Sequence, residues 1–190
     1  MKRSDINQAI KDATLCFQAG LWALPPAPRW DVTDCGLKQF AQVGLVLVNL
    51  ADEPEYCEKL MYSKFHQATP LHTHKKKTED IICRRGRLAM EVWKGHPEQT
   101  SKGLAFTISR NGEEVEVYSG KPVVLEAGER MKIVPGVYHS FWPESPEAII
   151  GEVSTANDDA NDNFFVDNRI GRFPEIEEDE PRDVRLVNEQ

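Results

Sequence analysis

The 190-residue chain is predicted to be all-β: an antiparallel jelly-roll barrel with an N-terminal amphipathic helix and an irregular acidic C-terminal extension. Three observations predict this. Between Tyr56 and Glu152, short runs rich in β-branched and aromatic residues alternate with turn signals at close spacing, the pattern of a closed or sandwiched antiparallel sheet. A helical period of apolar residues occurs once, near the amino terminus. After Ser154 the chain turns to Asn and Asp, then to Glu177-Glu178-Asp179-Glu180, a composition usually solvated.

Taken in order, Ser4 to Ala23 places Ile6, Ile10, Ala13, Phe17 and Leu21 three or four apart, with Ser4 or Asp5 available as the cap. Pro25, Pro26 and Pro28 block continuation, and Asp34-Cys35-Gly36 reads as a turn. Val43 to Leu50 is a nearly unbroken aliphatic run, as a buried strand would be. Further strands are expected at Tyr56 to Phe65, Glu79 to Cys83 and Leu88 to Trp93. The dipeptide Asn111-Gly112 between Ala105–Ile108 and Val115–Tyr118 predicts a tight hairpin. Val123–Leu125, Met131–Val134, His139–Trp142 and Ala148–Val153 complete the set. The implied division is a helical extension and linker over 1–42, a barrel over 43–155, and a tail over 156–190 that packs on or near it.

The chemistry concentrates in His72-Thr73-His74-Lys75-Lys76-Lys77-Thr78-Glu79 and in a distant His139. Side chains two apart on a strand share a face, so His72 and His74 point the same way. With Glu79 and His139 they form a three-imidazole, one-carboxylate set, suited to a divalent first-row metal that keeps positions open for water or substrate. Glycine and proline punctuation around both segments fits two facing hairpins of a small barrel. His66 and His96 lack partner spacing and read as surface or rim residues.

A net charge of −8 opposes non-specific binding to nucleic acid, which requires a basic surface. The one basic run, Lys75 to Lys77, lies between the proposed ligands, and Lys75 and Lys76 read equally well as a solvated loop tip. Cys16, Cys35, Cys57 and Cys83 follow no metal or redox spacing and read as reduced thiols. No apolar run reaches the roughly twenty residues needed to span a bilayer, so a cytoplasmic protein without membrane partners is expected. The Asn157 to Asn163 cluster lacks the glycine and closing glutamate of a calcium-binding hand.

Three separated motifs resemble the D-lyxose isomerase family of the cupin superfamily: Pro70-Leu71-His72-Thr73-His74 with Lys77, Glu79 and Asp80; Val134 to Trp142; and Glu152 to Asp159 with Asp162, Asn163 and Phe165. The resemblance implies an aldose-ketose isomerase acting on D-lyxose and D-xylulose, and on D-mannose and D-fructose, with Mn2+ at His72, His74, Glu79 and His139. Affinity order alone would favour other ions, so Zn2+, Co2+ and Fe2+ stay open. It makes Lys77 a catalytic lysine and leaves Glu152 and Glu175 as candidates for the proton-transfer carboxylate, the latter in a segment that folds back over the barrel mouth. Phe141, or Trp142 beside it, is the expected sugar platform, and Asp162 and Arg172 are expected substrate-binding groups; Arg169 and Arg172 alternatively pair with the acidic tail. A hydride shift remains open as the mechanism. Competing readings are an iron dioxygenase, disfavoured by the polar Lys77 and Asp80, and a sugar-binding cupin without turnover. A homodimer formed through an edge strand is expected.

Overall fold

In the computed structural model, which describes all residues except 156–157, 159–160, 172–174 and 190, helix α1 (Arg3–Ala19) precedes thirteen strands. They are β1 (Arg29–Thr33), β2 (Leu45–Asp52), β3 (Tyr56–Lys64), β4 (His72–Thr73), β5 (Glu79–Arg85), β6 (Arg87–Trp93) and β7 (Ala105–Arg110). The rest are β8 (Glu113–Tyr118), β9 (Val123–Glu126), β10 (Arg130–Ile133), β11 (Tyr138–Pro143), β12 (Glu147–Thr155) and β13 (Phe164–Phe165). The strands form an eight-stranded sheet, β1-β2-β3-β12-β5-β10-β7-β8, and a five-stranded sheet, β13-β4-β11-β6-β9, with antiparallel pairing throughout. The all-β barrel expected from the sequence is therefore the observed fold.

Alternation explains the two cores. On β2 and β3, Leu47 and Met61 face inward and meet Met90, Val92 and Phe141 of the opposite sheet. Val46, Val48, Leu60 and Tyr62 face outward and would meet water, but α1 covers them with Ile6, Ile10, Ala13 and Phe17. Phe17 is fully buried, with its ring stacked 6.2 Å from that of Trp30. This explains the continuous apolar run of β2: both faces are covered. Hairpins follow local turn chemistry. Asn111 and Gly112 have φ of 55° and 88°, the pair of left-handed residues that a two-residue turn between twisted strands requires.

Several boundaries differ from those the sequence suggests. The helix ends at Ala19, before Leu21, which is 94% exposed, and its cap is Lys2 without a side-chain bond. The proline-rich linker contains β1, whose register with β2 runs from Arg29↔Asn49 to Thr33↔Leu45, so the barrel begins well before residue 43. A short strand between prolines and a turn carries too little periodicity to be seen. The acidic tail is not simply solvated either. Glu178, Asp179 and Glu180 bond Arg3, Ser4 and Asn7 of α1, and Leu186 is buried against Trp30. All four cysteines are buried and free.

Candidate metal centre

The site forms where β4, β5 and β11 converge at one end of the barrel cavity. His72 and His139 are direct cross-strand partners of the β4–β11 pair, with ring centroids 4.2 Å apart. On its other side β4 pairs with β13, which sets Phe165 opposite His72. The turn before β11 fixes the depth of His139: Pro135 and Gly136 occupy its centre, Gly136 at φ 86°, and the Gly136 amide donates to the His74 carbonyl at 2.9 Å. Glu79 opens β5, opposite Ser154 of β12 and Ile133 of β10.

One ligand atom from each of His72, His74, Glu79 and His139 lies within 4.8 Å of every other. The groups behind them orient these atoms. His72 Nδ1 lies 2.8 Å from the Pro70 carbonyl and His74 Nδ1 lies 2.7 Å from the Asp162 carbonyl; each ring is held as an Nδ1–H donor, with Nε2 turned to the centre. Burial, then the neighbouring His139 and His74, push the His72 imidazole well below its usual range, so it is neutral and can ligate. Glu79 Oε1 lies 2.7 Å from His139 Nε2 and 3.4 Å from His74 Nε2, yet these buried atoms complete no hydrogen bond of acceptable geometry. A cluster of orphaned donor atoms at 2% exposure or less is costly unless something fills it, and a divalent cation satisfies this donor set. The four residues can hold a metal ion.

Beside the cluster lies a buried ionic network. Lys77 Nζ sits 2.7 Å from Glu79 Oε2 and 3.0 Å from Glu152 Oε1, and Lys59 Nζ is 3.3 Å from the same Glu152 oxygen. Burial alone would raise the Glu79 carboxyl, but the Lys77 ammonium and His139 outweigh it and hold it well below the usual carboxylate range. Burial likewise opposes the charge on Lys77, and Glu152 and Glu79 override it, so Lys77 stays an ammonium. Ser154 Oγ adds a donor to Glu152 Oε1 at 3.2 Å.

The structure brings some expected residues together and separates others. Lys77, Glu152 and Phe141 line the same cavity as the ligands. Trp142, on the opposite face of β11, donates to Glu144 instead. Asp162 is not a wall of the cavity: its carboxylate accepts the amides of Lys75, Lys76 and Lys77 at 2.9 to 3.2 Å, so it positions the loop between the ligands. Burial opposes the charge on Asp162, and those amides keep its carboxyl below the usual range. Glu175 lies outside the cavity, in a surface cleft beside Met1 and Lys2, where its carbonyl accepts the terminal ammonium at 2.6 Å. The parallel bridge between Lys2 and Glu177 draws this stretch onto α1 rather than over the barrel mouth. Asp80 points to the other face of β5 and pairs with Arg130, so it argues nothing about the metal. Arg169 pairs with Asp167, Arg172 lies outside the described residues, and Lys75 and Lys76 are exposed. His66 is exposed, and His96 is half-buried with its ring edge-on to Tyr138.

Lys59 escaped the sequence reading. The signal available was phase: Lys59 lies two residues from Met61 on an extended run, so it shares the inward face. Cross-strand register then sets it directly opposite Glu152.

The family model described as D-lyxose isomerase matches residues 27–190. A D-lyxose/D-mannose isomerase of Serratia proteamaculans is 39% identical over 174 residues, covering 84% of this chain and 75% of that protein. A D-lyxose ketol-isomerase of Cohnella laeviribosi is 32% identical over 188 residues, covering 95% of this chain and all of its own length. Among solved structures, an L-ribose isomerase of Cellulomonas parahominis bound to L-ribose superposes with a TM-score of 0.65 at 17% identity, covering 92% of this chain and 98% of that one, which establishes a shared fold. With three imidazoles, a carboxylate, a buried lysine and a second carboxylate in one cavity, and with relatives matched along nearly the whole chain, this protein is a sugar isomerase and belongs to the D-lyxose isomerase family.

Proposed function

We propose that the protein interconverts D-lyxose with D-xylulose, and D-mannose with D-fructose, by proton transfer between C1 and C2, with a divalent ion, Mn2+ first among the candidates, held by His72, His74, Glu79 and His139. The observation that carries this reading is the contact of Lys77 with both the ligand Glu79 and the non-ligand Glu152. Charge stabilisation and a proton acceptor are thereby held in one cavity on buried side chains. Bound there, a divalent ion supplies Lewis-acid polarisation of the substrate oxygens.

The chain's own groups account for the remaining chemistry. Glu152 is the proton-transfer carboxylate: it takes the C2 proton of the aldose while the electrons of that C–H bond form the C1–C2 double bond and charge develops on the carbonyl oxygen. Lys77 keeps its proton and stabilises that charge by a hydrogen bond. The C2 hydroxyl proton passes to O1, and Glu152 returns its proton to C1, which leaves the carbonyl at C2. Lys59, opposite Glu152, holds its carboxylate in place through the 3.3 Å contact of Nζ with Oε1. Phe141 gives the sugar an apolar face. The same reading takes the chain as a cytoplasmic homodimer, which a solution mass at micromolar concentration tests.

Metal-loaded protein incubated with D-lyxose is expected to yield D-xylulose; absence of conversion across pentoses and hexoses overturns the reading. Turnover in D2O is expected to place deuterium on C2 of the aldose formed from ketose. Complete retention of hydrogen during many turnovers would assign a hydride shift instead.

A further inference from the structure

We infer that Asp31 and Thr33 of β1 are specificity-determining residues that bind the distal hydroxyls of the sugar. The inference rests on the isomerase reading above and extends it to the other end of the cavity. That cavity does not stop at the metal ligands. Its wall crosses the large sheet from Glu79 on β5, past Glu152 on β12 and Lys59 on β3, to Asp31 and Thr33 on β1. These elements lie four strands apart, each step about 4.8 Å along the sheet, so the cavity runs well beyond what chelation of two adjacent oxygens needs.

Register explains why these two side chains face inward. Asp31 pairs with Leu47 and Thr33 with Leu45, and all four line the cavity, while the alternating Trp30 and Val32 are buried beneath α1. The result is a carboxylate that is 7% exposed and a hydroxyl, set among Leu45, Leu47 and Phe141. Thr33 Oγ1 accepts the Cys35 amide at 2.9 Å, which orients the hydroxyl. The oxygens of a carboxylate accept hydrogen bonds, so they suit the O–H donors of a polyol. The metal end thus fixes C1 and C2, while the β1 end reads the far part of the chain.

The test uses the metal-loaded full chain and the near-isosteric variants Asp31→Asn and Thr33→Val. With D-lyxose and D-mannose, Asp31→Asn is expected to raise KM about tenfold, the scale of one hydrogen bond to a charged group, with kcat changed less than about twofold. Thr33→Val should raise KM about threefold. D-Arabinitol, the reduced form of D-lyxose, should bind wild type and weaken about tenfold in Asp31→Asn, a calorimetric readout independent of turnover. L-Erythrose, which keeps the C2 and C3 configuration of D-lyxose but lacks C5, should inhibit wild type and Asp31→Asn equally. Unchanged KM and D-arabinitol affinity in both variants overturns the inference, as does a loss confined to kcat. If wild type binds D-arabinitol in an Asp31-dependent manner yet converts no sugar, the isomerase reading fails while the subsite stands.

Discussion

The barrel cavity and the contact between α1 and the tail each set a buried cation between two carboxylates, Lys77 between Glu79 and Glu152, and Arg3 between Glu178 and Glu189. Their surroundings differ. Glu79 and Glu152 are at most 8% exposed, and they border imidazole and carboxylate atoms that have no hydrogen-bond partner. Glu178 is 58% exposed, and Arg3 grips it with two parallel bonds of 2.7 and 2.8 Å. A forked pair reaching water closes on itself and holds two chain ends together. A fully buried network with unfilled donor atoms asks for a ligand and tolerates no missing charge. Buried charge therefore has two uses here, and what distinguishes them is whether the unsatisfied atoms converge as a ligand set: among the described residues the clamp leaves Arg3 Nη1 without a partner, whereas the cavity gathers such atoms on His74, Glu79 and His139.

The largest effect expected from breaking this contrast is in the cavity. His139→Ala should abolish stoichiometric Mn2+ binding and lower kcat by at least about 10²- to 10³-fold, on the scale of losing a preorganised charge stabiliser; calorimetric titration and steady-state rates check both. Lys77→Met should reduce kcat by about 10²- to 10⁴-fold. It should also destabilise the fold, because Glu79 and Glu152 lose their shared counter-charge in a buried site; denaturant unfolding should show a loss of about 3 kcal/mol. Activity near wild type in Lys77→Met would erase the distinction between the two clusters.

Arg3→Met sharpens the comparison from the other side. It should lower Tm by about 2–8 °C while leaving kcat per folded molecule unchanged, because the clamp touches no cavity wall among the described residues. The clamp should also weaken in acid. Bonding to Arg3 lowers the Glu178 carboxyl, and bonding to the Ser4 hydroxyl and amide lowers that of Asp179. Groups depressed in the folded state contribute stability above their unfolded values, about 4. That contribution is lost as pH falls through the lower folded values, so wild type and Arg3→Met should converge in Tm below about pH 4. The smallest effect is expected for Asp167→Ala, whose Arg169 partner is exposed: no more than about 1 °C in Tm.

The four candidate metal ligands were legible because each carries its signal in its own short segment. His-x-His on an extended stretch fixes two imidazoles on one face, and Pro135-Gly136 shortly before His139 marks the turn that delivers the third. The positions of most strands along the chain were legible for the same reason, since alternation and Asn-Gly turns are local. Lys59, Asp31 and the tail clamp were not. Lys59 acquires meaning only opposite Glu152, some ninety positions later, and Asp31 only once β1 is known to be a strand. Glu175 and Asp162 show the converse. Both carry plausible residue types, yet one is drawn away by a bridge between Lys2 and Glu177, and the other by three amides that need its charge.

By itself, then, the sequence determined the all-β class, the single helix and the four-atom donor set, because propensity, alternation and turn chemistry act over a few residues. Only the tertiary structure decided which carboxylate stands beside Lys77, that β1 closes the far end of the cavity, and that the acidic tail serves α1 rather than the site. Those outcomes depend on register between strands distant in the chain and on whether a buried charge finds its partner, and neither is a property of any short segment.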